Sequence, residues 1–268
     1  SPLIPLLLTN AAPQRPGKVL IVWGSVAGYV AACAPLFYST VLSTYGWNLA
    51  FYIFAGVSVI AMAIVYSSHI GEDASQKKNG PSYARMFQSK KLFLMFAYVF
   101  CTYGSITYFM FRLPLWLSAN QFEVISIGFA LSLLWLSFSV VSTFLRNRVD
   151  APHVRPILLA APILIAAGFP LAVFSSEITF LALSSILIGS GLACSNAPST
   201  QLILKFAPKG ASAASASMDI TFARLGGVFT VAVFAQAVFG YAVLSVMVMC
   251  LIAFLCVLAS THNLKNGA

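Results

Sequence analysis

Three ionisable residues lie inside long apolar stretches of this chain, namely Arg112, Asp219 and Arg224. A charged side chain in the hydrocarbon of a bilayer costs at least about 2.5 kcal/mol, so such residues are functional candidates by default. Asp219 is the only carboxylate within a predicted span, and it lies about 12 Å into that span. It is therefore the candidate for binding a proton or a cation. An ionic gate with basic loop residues is the alternative.

Arg224 follows Asp219 by five positions, which places the two side chains about 140° apart around a helix. Each must then find its partner on another helix or in water, and we expect Arg224 to contact a neighbouring helix at the inner gate. Arg112 lies about 30 Å into its own stretch, close to the far membrane surface. There its long side chain can reach water or pair with Glu123, and contact with a substrate is the other interpretation.

Uncharged polar residues inside other spans are candidates for a substrate pathway. The run from Gly189 to Pro198 is the most polar part of any central span, and its small residues permit close helix packing. Hydrogen-bonding side chains in and just after this run could line a cavity, and a tyrosine of the aromatic-rich third span could stack on a substrate. Packing and lipid contact are the alternatives for these residues. The pathway candidates are Tyr103, Asn196, Ser195, Gln201 and Arg112.

The elements that must position these residues are membrane-spanning helices. Of the 268 residues, 60% are hydrophobic and only 8% are charged, and the mean hydropathy is +0.91, which excludes a soluble globular fold. A spanning helix needs about 20 apolar residues, and its backbone groups must be satisfied internally. The sequence therefore predicts an all-α polytopic membrane protein. Eight stretches are long enough, at about 19–44, 47–68, 92–117, 124–145, 155–174, 178–204, 212–239 and 241–261.

The basic residues alternate with the predicted spans. Thirteen of the 15 Lys and Arg residues fall in every second gap, and the gaps near Gly46, Glu123, Glu177 and Gly240 contain none. Cytoplasmic loops collect Lys and Arg, so both chain ends are predicted to be cytoplasmic, in a bacterial inner membrane. The net charge of +9 comes mainly from these loops, which favours contact with membrane lipids over binding of nucleic acid.

One extended polar segment, residues 69–91, separates two spans from six. It predicts a cytoplasmic central loop between residues 1–68, the end of an N-terminal helical bundle, and residues 92–268, a C-terminal six-helix bundle. A weak repeat supports this division. Pro2 and Pro198 each begin a segment that runs from a helix end through Ala-Pro into a basic turn with Gly. The two copies lie six helices apart, as in transporters built from parallel repeats.

The first span resembles the fifth-helix antiporter motif of the major facilitator superfamily. The likeness rests on Gly28, Pro35 and the turn at Gly46, whereas Tyr38 and Ser39 occupy positions where paired glycines are usual. The close-packing surface of this helix is therefore bulkier than in the motif.

Two further segments resemble the same superfamily. Arg224-Leu225-Gly226-Gly227 is similar to the eleventh helix of multidrug exporters, and residues 113–117 are similar to the end of the seventh helix. The resemblance is strongest to the drug:proton antiporter branches and implies twelve helices in two bundles. On this registration the chain holds the tail of helix 4 and helices 5–12, and it is N-terminally truncated. The implied helix-packing residues are Gly28, Pro35, Gly46, Gly226 and Gly227.

The resemblance implies a secondary active transporter that moves a small organic solute by alternating access, with protons as the coupling ion. Efflux of drugs or metabolites is favoured. The alternatives are uptake or facilitated passage of a metabolite, sugar or organic acid, and a non-transporting membrane fragment or sensor. The missing N-terminal helices, or another bundle, would be needed to complete a cavity.

Enzymatic chemistry is not expected. No His/Cys/carboxylate cluster or nucleophile–base pair occurs at membrane depth in the sequence. The 5 cysteines lie inside apolar stretches without a CxxC pair or a nearby His, so we expect neither a metal site nor a cofactor.

Overall fold

The computed structural model describes residues 8, 12–67, 89–149, 154–173, 177–208, 210–235 and 239–261. Within these ranges, eight helices are long and apolar enough to cross a membrane, which confirms the prediction of an all-helical membrane protein. The predicted loop at 69–91 lies outside the described residues except for its last three. The helices are α1 (Pro16–Tyr45), α2 (Trp47–Ser67), α3 (Lys90–Ala119), α4 (Val124–Leu145), α5 (Val154–Val173), α6 (Ile178–Phe206), α7 (Ser212–Phe234) and α8 (Phe239–Thr261).

Local sequence signals set several helix ends. Pro16 begins α1, where a missing N–H is tolerated, and Ser89 caps α3 by accepting a 3.5 Å hydrogen bond from the Leu92 N–H. Between α1 and α2, Gly46 has a φ of 76°, a left-handed conformation that favours glycine. This turn lets Trp47 start the next helix at once.

The apolar core is divided between the two ends of the bundle. One cluster joins the start of α3, the start of α5 and the ends of α6 and α8, through Leu92, Leu158, Leu202 and Val257. The other cluster joins the opposite ends of the same helices. A third, smaller cluster of Leu20, Ile21, Val149 and Ala197 lies at the same end as the first, since Val154 packs against both. The basic residues of the described gaps lie near these two clusters, and the Lys91 ammonium is 5.8 Å from the centre of the Phe206 ring. We call this end the basic end of the bundle.

Helices α1 and α4 pack closely because each offers a glycine to the other. A Cβ at Gly28 would overlap the Phe138 ring of α4, and a Cβ at Gly128 would overlap Ser39 of α1. Ser39, which makes this surface of α1 bulkier than in the motif, is buried against Gly128. The glycine required for close packing is thus supplied by the opposing helix.

Proline 35 disturbs α1 at this same contact. Proline has no N–H to donate within the helix and its ring crowds the preceding turn, and the N–H of the next residue, Leu36, donates to the Ser132 hydroxyl of α4 at 3.1 Å. A buried N–H without a partner is unfavourable in a membrane protein, so Ser132 satisfies the donor released by the kink.

Proline 162 leaves one backbone carbonyl of α5 without its usual N–H donor. It has no N–H to offer the carbonyl of Leu158, four residues earlier. The Tyr98 hydroxyl donates to that carbonyl at 3.3 Å, and Tyr98 is fully buried. This tyrosine of the aromatic-rich span therefore has a structural role.

Helix α2 contacts α1 but is otherwise largely uncovered by the described residues. Its large apolar side chains, including Tyr52, Phe54 and Met62, are exposed. An apolar groove of about 430 Å³ opens between α1, α2 and α4 and is lined by aromatic residues such as Trp47 and Phe51. This surface is suited to a lipid or protein environment rather than to water.

Candidate functional site

Asp219 lies on α7 and is buried, with only 7% of its surface exposed. The Thr200 hydroxyl of α6 donates a hydrogen bond of 2.7 Å to its carboxylate. Both residues lie about 10 Å from the basic end, as judged from the helical rise. The partner of Asp219 is therefore on another helix, as its angular separation from Arg224 predicts.

Tyr103 and Asn196 form a second polar pair next to the first. The Tyr103 hydroxyl of α3 donates to the side-chain carbonyl of Asn196 on α6 at 2.6 Å. Helix α1 reaches the same place, since a Cβ added at Gly24 would lie 3.5 Å from the Asn196 amide nitrogen. Three helices thus meet at this amide, and Gly24 leaves room beside it.

The two pairs belong to one cluster. The Thr200 hydroxyl lies 3.3 Å from the backbone carbonyl of Asn196, in addition to its contact with Asp219. Asp219 and Arg224 lie on α7, which packs against α3 at the level of Tyr103, because Gly226 meets Phe100 and Gly104. We call Tyr103, Asn196, Thr200, Asp219 and Arg224 the polar cluster. It can hold a proton on a carboxyl group, offer hydrogen bonds to a solute, and present a positive charge.

Two predicted pathway residues contribute differently. Ser195 is fully buried and lies 3.3 Å from the hydroxyl of Thr102, so it ties α6 to α3 beside the cluster. Gln201 is partly buried and follows Thr200 directly. Its role on the pathway stays a prediction.

Arg112 lies away from the polar cluster. Its guanidinium donates to the carbonyl of Ala235 at 3.3 Å, just beyond the end of α7. Tyr108, one turn earlier on α3, donates to the carbonyl of Phe234 at 3.4 Å. A positive group at a helix C-terminus satisfies unpaired carbonyls and complements the helix dipole. The structure therefore gives Arg112 a helix-capping contact; pairing with Glu123 and substrate contact stay predictions.

The glycines of the exporter-like segment form a tight contact between α3 and α7. A Cβ at Gly226 would overlap the carbonyl of Phe100, and one at Gly227 would lie 2.9 Å from the Thr107 side chain. The Thr230 hydroxyl, one turn later, lies 2.9 Å from the carbonyl oxygen of Gly104. Gly226 and Gly227 thus act in helix packing, which holds Tyr103 and Asp219 on two helices in close contact.

Thr200 is the member of the cluster that sequence reasoning missed. A threonine four residues after Asn196 projects from the same face of α6, and this spacing was the available signal. Threonine within a helix often bonds its own backbone, so the residue type alone does not point to a carboxylate partner.

The family comparison agrees with this architecture. A family model described as Major Facilitator Superfamily matches residues 1–231 of the chain. The chain therefore belongs to this superfamily, whose members are membrane transporters of small molecules rather than enzymes. None of the curated proteins matches the sequence.

Proposed function

We propose that the protein is a proton-coupled secondary transporter that moves a small organic solute by alternating access. The observation that carries this proposal is the hydrogen bond from Thr200 to the buried Asp219, next to the pair formed by Tyr103 and Asn196. A carboxyl group within a span can exchange a proton when one side of the pathway opens to water. Protonation of Asp219 is then coupled to the conformational cycle.

The solute binds beside Tyr103 and Asn196. These residues lie where α1 meets α3 and α6, which is the boundary between the N-terminal bundle of residues 1–68 and the C-terminal bundle of residues 92–268 that we propose. Transporters of this architecture bind their solutes between the two bundles, near the bilayer midplane. A solute that competes for the Tyr103 hydroxyl would favour one arrangement of the bundles over the other.

Transport could run in either of two directions, efflux in exchange for a proton or uptake together with a proton. Efflux by proton antiport rests on the resemblance of α1 and α7 to drug:proton antiporters, and cationic compounds are natural substrates because they can replace a proton at Asp219. Uptake together with a proton is the rival, and the positive charge of Arg224 in the cluster favours it for anionic solutes. A non-transporting membrane protein is the remaining alternative.

The proposed setting is a bacterial inner membrane with both chain ends in the cytoplasm. The described loop residues Arg146 and Arg148 lie at the basic end of the bundle, together with Lys18 and Lys205. This common location supports a cytoplasmic basic end. The chain would then correspond to helices 5–12 of a twelve-helix transporter, with further helices completing the cavity.

The test is proton flux in liposomes that contain the purified protein and a pH-sensitive dye. Ethidium serves as a cationic probe, and lactate and succinate serve as anionic probes. We expect at least one probe to induce proton movement, and Asp219→Asn to abolish it, while the exposed loop variant Glu123→Gln retains it. Unchanged flux in Asp219→Asn would show that coupling does not occur at Asp219. Absence of flux and of probe transport would favour the non-transporting alternative.

A further inference from the structure

Arg224 is an exposed cation at mid-membrane depth. It is the thirteenth residue of α7, which places it about 18 Å from the basic end of a hydrocarbon layer about 30 Å thick. Among the described residues it makes no hydrogen bond or ion pair, and it lies at the level of Tyr103 on α3, since Gly226 packs against Phe100 and Gly104 of that helix. The nearest described carboxylate in sequence, Asp219, is turned about 140° away around the helix and bonded to Thr200.

On the basic-end side of Arg224, polar residues follow one strip of the exposed face of α7, next to the exposed Ile220. Ser217, Thr221 and Arg224 follow one another at spacings of four and three residues, so they share a face of α7. Both hydroxyls donate to carbonyls of their own helix, which leaves their oxygens able to accept further hydrogen bonds. Beyond Arg224 the same face becomes apolar, beginning with the exposed Val228.

This pattern points to water rather than lipid on the basic-end half of that face. A guanidinium at mid-membrane depth that faced lipid would be costly, so such residues face a bundle interior or a water-filled cavity. The polar face runs from the basic end to Arg224 and stops there. Arg224 is thus placed at the inner limit of a polar pathway, with a charge that the described part of the chain does not neutralise.

We propose that Arg224 binds the oxyanion of the transported solute, a carboxylate or a phosphate group, while Tyr103 and Asn196 contact its uncharged part. This proposal rests on the proposed transport function and names its substrate class. A guanidinium suits this role because its planar fork donates two parallel hydrogen bonds to an oxyanion. A cationic drug would instead be repelled by Arg224.

The charge of the solute also determines how it couples to the proton. Asp219 on the same helix and Tyr103 on α3 are the titratable groups of the cluster around Arg224, and Thr200 on α6 is neutral. A proton on Asp219 removes a negative charge near the site and favours an anion at Arg224. Proton and anion then bind together, and by linkage each strengthens the binding of the other. Co-transport follows, rather than exchange.

The test is binding of oxyanions to the purified protein, measured by thermal shift and titration calorimetry. The probes are acetate, lactate, succinate, citrate and benzoate for carboxylates, with inorganic phosphate and glycerol 3-phosphate as the second arm. We expect at least one probe to bind and Arg224→Gln to raise its Kd about ten- to a hundredfold, since hydrogen bonds to charged groups are lost. Arg224→Lys should retain part of the affinity, and the exposed loop variant Arg146→Gln should retain all of it.

The outcomes separate this proposal from the proposed function. Binding by none of the probes, or binding that Arg224→Gln leaves intact, overturns the oxyanion site. Proton flux with ethidium that depends on Asp219 but not on Arg224 would support proton-coupled transport and overturn the oxyanion site. Oxyanion binding that depends on Arg224, without proton flux, would support the site and overturn proton coupling.

Discussion

The hydroxyl of Thr200 lies 2.7 Å from the Asp219 carboxylate and 3.3 Å from the backbone carbonyl of Asn196. A hydroxyl has one hydrogen, so it can donate to only one of these acceptors at a time. With Asp219 ionised, the hydrogen is best placed on the carboxylate. Once Asp219 is protonated it can itself donate to Thr200, which frees the Thr200 hydrogen for Asn196. Protonation of Asp219 on α7 therefore changes which hydrogen bond Thr200 makes on α6, beside the proposed solute site.

Thr200→Val removes this link while preserving the shape of the side chain. We expect proton-coupled flux to fall about ten- to a hundredfold, because a hydrogen bond to a charged group is worth about 1.5–3 kcal/mol. The measurement is dye-reported proton flux in liposomes. Thr44→Val is the matched control, since Thr44 is exposed and bonds only a carbonyl of its own helix among the described residues. An equal loss of flux in both variants would contradict a specific role for Thr200.

Tyr103→Phe removes a 2.6 Å hydrogen bond to Asn196 and leaves the aromatic ring in place. We expect the KM for the solute to rise about three- to tenfold, in keeping with the net value of a neutral hydrogen bond. Unfolding stability should change little, because Asn196 can bond water or a solute instead. Tyr241→Phe, at an exposed position of α8, is the control. A large loss of stability without a change in KM would mean that the Tyr103–Asn196 pair is structural.

The helices could be predicted from the sequence, but the contacts between side chains of different helices could not. Apolar length fixes where a chain can cross a membrane, so the eight spans followed from composition, and the rarity of charge singled out Asp219 and Arg224. Asn196 stood out because it is polar in a span, but its partner Tyr103 is 93 residues away, and only the fold brings the two together. The same rarity singled out Arg112, but its partner is a backbone carbonyl, which leaves no trace in residue types.

The glycines of α7 illustrate the same limit. The likeness of Arg224-Leu225-Gly226-Gly227 to exporters indicated a packing motif, and the structure places Gly226 against the backbone of α3. Which helix receives the glycine depends on tertiary packing, so spacing within α7 alone does not reveal it.

Gly226→Ala should destabilise the protein because the new methyl group would overlap the carbonyl of Phe100. Backbone cannot yield as a flexible side chain can, and overpacking of this kind costs about 1–3 kcal/mol. The measurement is unfolding in mixed micelles of SDS and a mild detergent. Gly56→Ala is the control, because a Cβ there meets nothing within 4 Å, and it should leave stability unchanged or slightly raised. Equal stability of the two variants would refute the close contact between α3 and α7.

Ser132→Ala should destabilise the contact between α1 and α4, and the size of the effect should depend on Pro35. It leaves the N–H of Leu36 without its acceptor, at a cost of about 1–3 kcal/mol in unfolding free energy. In a Pro35→Ala background, Leu36 can bond its own helix again, so the same substitution should cost less. A double-mutant cycle measures this difference as a coupling of at least about 0.5 kcal/mol. Strictly additive effects would show that Ser132 does not serve the proline kink.

Cysteine labelling tests the predicted orientation of the chain. The native thiol at Cys33 is exposed and the other four are buried, so Cys33→Ser provides a background of low reactivity. Single cysteines are then placed at two exposed loop positions, Asn120 and Arg148, which lie at opposite ends of α4. If the basic end is cytoplasmic, a membrane-impermeant maleimide should label the cysteine at position 120 in intact cells, and the one at position 148 only after permeabilisation. The reverse pattern would invert the topology and place the polar face that leads to Arg224 on the outer side.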